Sequence, residues 1–158
     1  MDDGEILGRL SALGLALPDP PAAVASYLPC VVQGATAYVA GQVPMIDGSV
    51  VNPGIVGDRV SLDEAADGAS RAALQALSAL RDALGGSFDR LERIVKVQVF
   101  VAAVPGFVDH PKVANGASDL LVEVLGEDGR HARAAVGVPS LPLNASVEVV
   151  VTAAVRPA

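Results

Sequence analysis

The chain has 158 residues, 51% of them hydrophobic but only 3% aromatic, with a formal charge of −7. That length suits one domain with a substantial core, which here must be built from Ala, Val and Leu. Its 11 basic residues are scattered, which argues against nucleic acid as a partner, and no apolar run approaches the roughly 20 residues of a membrane helix.

Ile6, Leu7, Leu10 and Leu13 recur at helical spacing between Gly4 and Gly14, predicting a short amphipathic helix. It stops at Leu17-Pro18-Asp19-Pro20-Pro21, too proline-rich for helix or central strand. Residues 1–26 therefore read as an N-terminal helix and proline-rich arm, and residues 27–158 as a single domain. Cys30–Gln33 and Thr36–Ala40 flank Gly34-Ala35 as a hairpin. A third extended piece, Ser49–Val51, follows the turn at Asp47-Gly48. The clearest helix starts at Ser61, which with Glu64 forms a capping box. Leu62, Ala66, Ala69, Ala73, Leu77, Leu80 and Leu84 then recur every three or four residues up to Gly85-Gly86. Leu91–Ala103 alternates as a strand, Lys112–Leu125 forms a second long helix ending at Gly126, and two last strands span about 132–138 and 146–155. The expected fold class is α+β, a mixed sheet with two helices packed on one face. The other face still carries Val and Ala with no layer left to cover it, so a second copy of the chain is its expected cover.

Arg133 and Glu148 interrupt two apolar, β-branched runs, and charges are rarely buried without a partner or ligand. If the last two strands pair as a hairpin about Pro139–Pro142, the two residues sit equally far from its centre and can meet as an internal ion pair. Alternatively they face a cleft, with Arg133 holding a carboxylate and Glu148 managing protons or water. Tyr27 reads as a packing residue ahead of the first strand, and Asn115 as a solvent-facing helix residue. Gly41-Gln42 can offer backbone donors or simply end a strand. His110 and His131 do not make metal-ligand spacing with carboxylates or Cys30, and no nucleophile elbow or phosphate-cradling glycine loop occurs. Cys30, the only cysteine, reads as a core residue without a disulfide, and the acidic start Met1-Asp2-Asp3 lacks the basic opening of a secretory signal. Both fit a cytoplasmic location.

Together these residues resemble the reactive-intermediate deaminase family (RidA, or YjgF). The likeness rests on Ala40-Gly41-Gln42-Val43-Pro44, on the helix after Asp58, on Val95–Val101, on Val113-Ala114-Asn115, and on Ala132-Arg133 leading to Leu141-Pro142 and Val147-Glu148-Val149. It covers about Tyr27 to Ala154. The resemblance implies a chorismate-mutase-like fold assembled as a homotrimer with clefts between subunits, where Arg133 and Glu148 can meet across chains. It also implies cofactor-free hydrolysis of an enamine or imine such as 2-aminoacrylate to a 2-keto acid and ammonia. By position, Arg133 would bind the substrate carboxylate, the backbone at Ala135 would hold the water or substrate nitrogen, and Glu148 would shuttle a proton. Tyr27, Ala40, Gly41 and Asn115 would shape the cleft. Two departures stand out: Ala135 replaces the family's frequent Cys, and Ala40 its Ser. A more apolar site suits a bulkier substrate, or a carboxylate-binding or chaperone-like module without turnover. Endoribonuclease activity, attached to some relatives, fits the acidic, aromatic-poor composition less well.

Overall fold

The structure, a computed structural model, describes residues 1–22 and 26–157, so residues 23–25 of the expected arm and Ala158 lie outside it. In chain order the elements are α1 (Asp3–Ala12), β1 (Cys30–Gln33), β2 (Thr36–Gln42), β3 (Met45–Ile46), β4 (Ser49–Val50), α2 (Leu62–Ala83), β5 (Leu91–Ala102), α3 (His110–Leu125), β6 (Ala132–Val138) and β7 (Val147–Val155). Five strands form one sheet in the order β1-β2-β7-β5-β6, while β3 and β4 make a separate two-stranded hairpin. The third extended piece thus stands outside the main sheet.

Each helix begins for a local reason. Asp2 caps α1, its side chain accepting the Glu5 N–H at 2.8 Å. Ser61 and Glu64 complete the expected capping box on α2, each side chain accepting the other's backbone N–H. α3 starts two residues before the expected Lys112, because Pro111 suits a first turn that needs no N–H. Small residues then let the layers approach: a Cβ at Gly116 on α3 would overlap the Ala66 carbonyl of α2. α1 also joins the core through Ile6 and Leu10. The Asp3 carboxylate anchors it, accepting two hydrogen bonds from Arg81 and one from the Phe88 N–H, all at 2.9 Å.

The sheet is where expectation and structure part. β6 and β7 do not pair with each other. Both flank β5, β6 parallel to it and β7 antiparallel. A parallel partner needs a crossover, and α3 supplies it, so β6 lands on the outer side of β5. The segment after Val138, with Leu143 and Asn144 at positive φ, then carries the chain past β5 instead of turning back as a tight hairpin. The expected intrachain meeting of Arg133 and Glu148 falls with the hairpin.

Register places side chains on the two faces. Val97, Val99 and Val101 of β5 are fully buried under the helices, together with Val147, Val149 and Val151 of β7. The opposite face carries Phe100 and Gln98 of β5 beside Glu148 and Val150 of β7, with Tyr38, Val31 and Val136 exposed around them. No helix covers that face among the described residues, so the uncovered apolar face inferred from the pattern is present.

Candidate functional site

Arg133 registers with Val97 across β5–β6, so its side chain leaves the sheet on the helix side, at the outermost strand. There it meets α3. Both hydrogens of Nη1 are engaged, donating to Asn115 Oδ1 at 2.8 Å and to Ser118 Oγ at 3.1 Å. The Nε and Nη2 hydrogens make no bond among the described residues. Those two are the parallel pair that grips a carboxylate in a fork, so the protein orients the guanidinium by one nitrogen and leaves its gripping edge free.

Ser118 is itself held. His131 Nδ1 lies 2.6 Å from the Gly129 carbonyl and Nε2 lies 3.0 Å from Ser118 Oγ. A carbonyl can only accept, so Nδ1 carries the proton and the neutral ring accepts the Ser118 hydroxyl at Nε2. Burial, then the nearby Arg133 charge, hold His131 below its usual value despite the opposing Gly129 bond, which favours this neutral tautomer. The resulting chain, Gly129–His131–Ser118–Arg133–Asn115, fixes the guanidinium from behind.

β6 ends the sheet, so one of its edges is unpaired. The Val138 carbonyl accepts the Ala103 N–H at 3.2 Å and therefore points inward. Backbone groups alternate direction along a strand, so the N–H and C=O of Ala135 point to the free edge, as do those of Arg133 and Gly137. The Ala135 side chain packs against the core; its backbone is what the edge offers a ligand.

Glu148 stands elsewhere. It is the register partner of Phe100 and faces the uncovered side of the sheet. It lies over a bulge in β2, where pairing with β7 shifts between Val39 and Gln42. Ala40 and Gly41 occupy that bulge, and a Cβ at Gly41 would overlap the Glu148 carboxylate, so glycine leaves the carboxylate its present position. Gln42 ties the bulge down, its side-chain amide donating to the Ala40 carbonyl at 3.0 Å. The Ala40 N–H donates to the Pro29 carbonyl at 2.9 Å, which brings the segment carrying Tyr27 alongside; Tyr27 itself is exposed. Half-buried with no cation beside it among the described residues, Glu148 has its carboxyl pushed above the usual range by desolvation.

The sequence-predicted residues therefore form two groups, Arg133 with Asn115 and the Ala135 edge, and Glu148 with Ala40 and Gly41. Cys30 is buried in β1, its thiol pushed up to about 11 by desolvation, which bears out a core role.

Residues 7–155 match the family described as "YjgF/chorismate mutase-like, putative endoribonuclease". The chain belongs to that family. The protein TCP17 of Trypanosoma cruzi is 42% identical over 147 residues, which cover 92% of this chain and 91% of that protein. The crystal structure of Atu1372 from Agrobacterium tumefaciens is 42% identical, covers 98% of this chain and 94% of its own, and superposes with a TM-score of 0.91. RidA from an Antarctic Psychrobacter is 25% identical over 87% of this chain and 94% of its own, with a TM-score of 0.58. Within the YjgF family the chain thus stands with Atu1372, in a branch diverged from RidA.

Two members of the network escaped the sequence reading of this YjgF chain. Ser118 follows Asn115 by three residues on α3, a spacing that puts both on one helix face, and that shared polar face was the available signal. His131 lacks metal-ligand spacing, and its partner Ser118 lies 13 residues away, so spacing alone does not join the two.

Proposed function

We propose that the chain is a cofactor-free hydrolase of reactive imines and enamines bearing a carboxylate, working as a homotrimer with clefts between subunits. The observation that carries this reading is the Arg133 guanidinium, clamped through Nη1 with its fork open beside the free backbone edge at Ala135. A 2-imino carboxylate suits that arrangement: the carboxylate on the fork, the imine nitrogen or attacking water against the Ala135 backbone. Water oxygen adds to the imine carbon, the carbon–nitrogen bond breaks, and a keto acid and ammonia leave. An enamine first takes a proton on its terminal carbon to become the imine.

The proton traffic falls to Glu148. A carboxyl above its usual range both gives and accepts protons nearer neutrality than an exposed one. Because Glu148 and Arg133 leave opposite faces of the sheet, each cleft draws Arg133, Asn115 and Ala135 from one subunit and Glu148, Gly41, Ala40 and Tyr27 from the next. Seating the uncovered face against a neighbour also covers Tyr38, Val31 and Val136. Activated imines hydrolyse unaided, so positioning and one proton relay supply the acceleration.

The test follows keto acid and ammonia release from enamines generated in situ, comparing the wild-type chain with Arg133→Ala. Acceleration that disappears in the variant supports the deaminase. Keto-acid binding that depends on Arg133 without any acceleration supports instead the carboxylate-binding module, which the missing hydroxyl at Ala40 and thiol at Ala135 favour. The endoribonuclease of the family description is the weaker reading, given a formal charge of −7 and Arg130 already paired with Glu127.

A further inference from the structure

A cavity of about 630 Å³ opens where the parallel strands β5 and β6 end, walled by Ile55, Val104, Phe107, His110, Gly137 and Val138. Exposed Asp58 also borders it. The Phe107 and His110 rings meet edge-on with centroids 5.1 Å apart. A Cβ at Gly137 would lie 2.5 Å from His110 Nε2, so glycine is what lets the imidazole rest against the strand and close that side of the cavity. The carboxyl ends of parallel strands are where open sheets leave crevices for ligands, and nothing in the carboxylate anchor at Arg133 uses this one.

Strand geometry relates the two. β6 keeps unbroken register from Ala132 to Val138, so Arg133, Ala135 and Gly137 share one side at steps of about 6.6 Å. The carboxylate of a ligand held by Arg133 places the ligand's second carbon near Ala135, and the substituent on that carbon continues toward Gly137 and the cavity. A methyl or methylene group stops short of it. A branched aliphatic or aromatic group enters it, against walls of matching chemistry.

We propose that this cavity is the side-chain subsite of the Arg133 site, so that the substrates are 2-imino acids with branched aliphatic or aromatic substituents rather than 2-aminoacrylate. For turnover the proposal rests on the deaminase reading; for binding it stands without it. Ala135, between Arg133 and Gly137 on β6, adds only a methyl group along that line.

The experiment measures kcat/KM for imines made in situ by an amino-acid oxidase from alanine, leucine and phenylalanine. Leucine and phenylalanine imines exceed the alanine imine by about tenfold or more, the range a filled apolar pocket supplies. Val104→Phe, which fills the cavity, lowers that ratio, and Phe107→Ala, which widens it, shifts preference further toward phenylalanine. A wild-type ratio near unity, or preference for the alanine imine, overturns the subsite. If no imine is turned over, calorimetry of phenylpyruvate against pyruvate decides separately. Tighter phenylpyruvate binding that Val104→Phe weakens keeps the subsite and drops the deaminase; equal binding drops the subsite.

Discussion

Arg133 and Glu148 leave opposite faces of the same sheet: Arg133 registers with Val97 on the helix-covered side, Glu148 with Phe100 on the uncovered side. Within one chain the guanidinium and the carboxyl point away from each other, and Arg133 turns instead to Asn115 and Ser118. If both groups act on one small substrate, two chains must share each site.

Sharing makes the two residues complement. Arg133→Ala and Glu148→Gln should each be inactive alone. In randomly mixed trimers an interface is intact when an intact Arg133 meets an intact Glu148, which cyclic symmetry gives for about a quarter of the sites. Imine hydrolysis by the co-expressed pair should therefore recover to about that fraction of wild type. Activity no greater than the sum of the separate variants counts against clefts built from two subunits.

Gly41 is the tightest steric constraint in the Glu148 half. A Cβ there overlaps the carboxylate, so Gly41→Ala must push Glu148 aside or distort the bulge. Overpacking of this kind costs about 1–3 kcal/mol, and a catalytic group displaced by an ångström loses about a hundredfold in rate. Urea denaturation and imine kinetics on the same preparation measure both. Unchanged kcat would show that Glu148 is not placed by this contact, or not used.

Much of this arrangement was readable from the chain alone. Helix α2 announced itself through Ser61, Glu64 and the Leu and Ala stripe, and β5 through its alternation, because those signals are local. The charges at 133 and 148 stood out for the same reason, as interruptions of apolar runs. Partner choice is not local. The stretch between Val138 and Val147 reads equally as a hairpin turn or as a passage across β5, and only the packing of α3 on β5 decides between them. Asn115 is indeed exposed, and its spacing from Ser118 marks one polar helix face; that this face meets Arg133, and that His131 reaches Ser118, depends on the crossover that sets α3 beside β6.

The uncovered face makes a prediction of its own. Tyr38 and Val136 are 54% and 47% exposed, large apolar groups on a face with no helix over it. Charges there oppose burial against a second copy while leaving the helix-side core intact. Tyr38→Glu combined with Val136→Glu should sediment as a smaller species than wild type, with unchanged far-ultraviolet circular dichroism. An identical sedimentation coefficient would place the subunit contact elsewhere.

His131 offers a test through pH. Its ordinary value of 6.5 is lowered in the fold, mainly by burial, so the unfolded chain binds the proton more readily than the native one. Stability from the neutral ring is then fully present above 6.5 and is lost as pH falls through 6.5 toward the native value. Glu148 has the opposite sign: its raised value makes the native state the better proton binder, so its share of stability falls as pH rises from 4.5 through the native value. That share is common to wild type and a His131→Ala variant and cancels in their difference. The stability gap between them, from urea midpoints at a series of pH values, should therefore be widest above neutrality and narrow steadily on acidification. A gap that stays constant with pH would mean that the ring is not held neutral by this network.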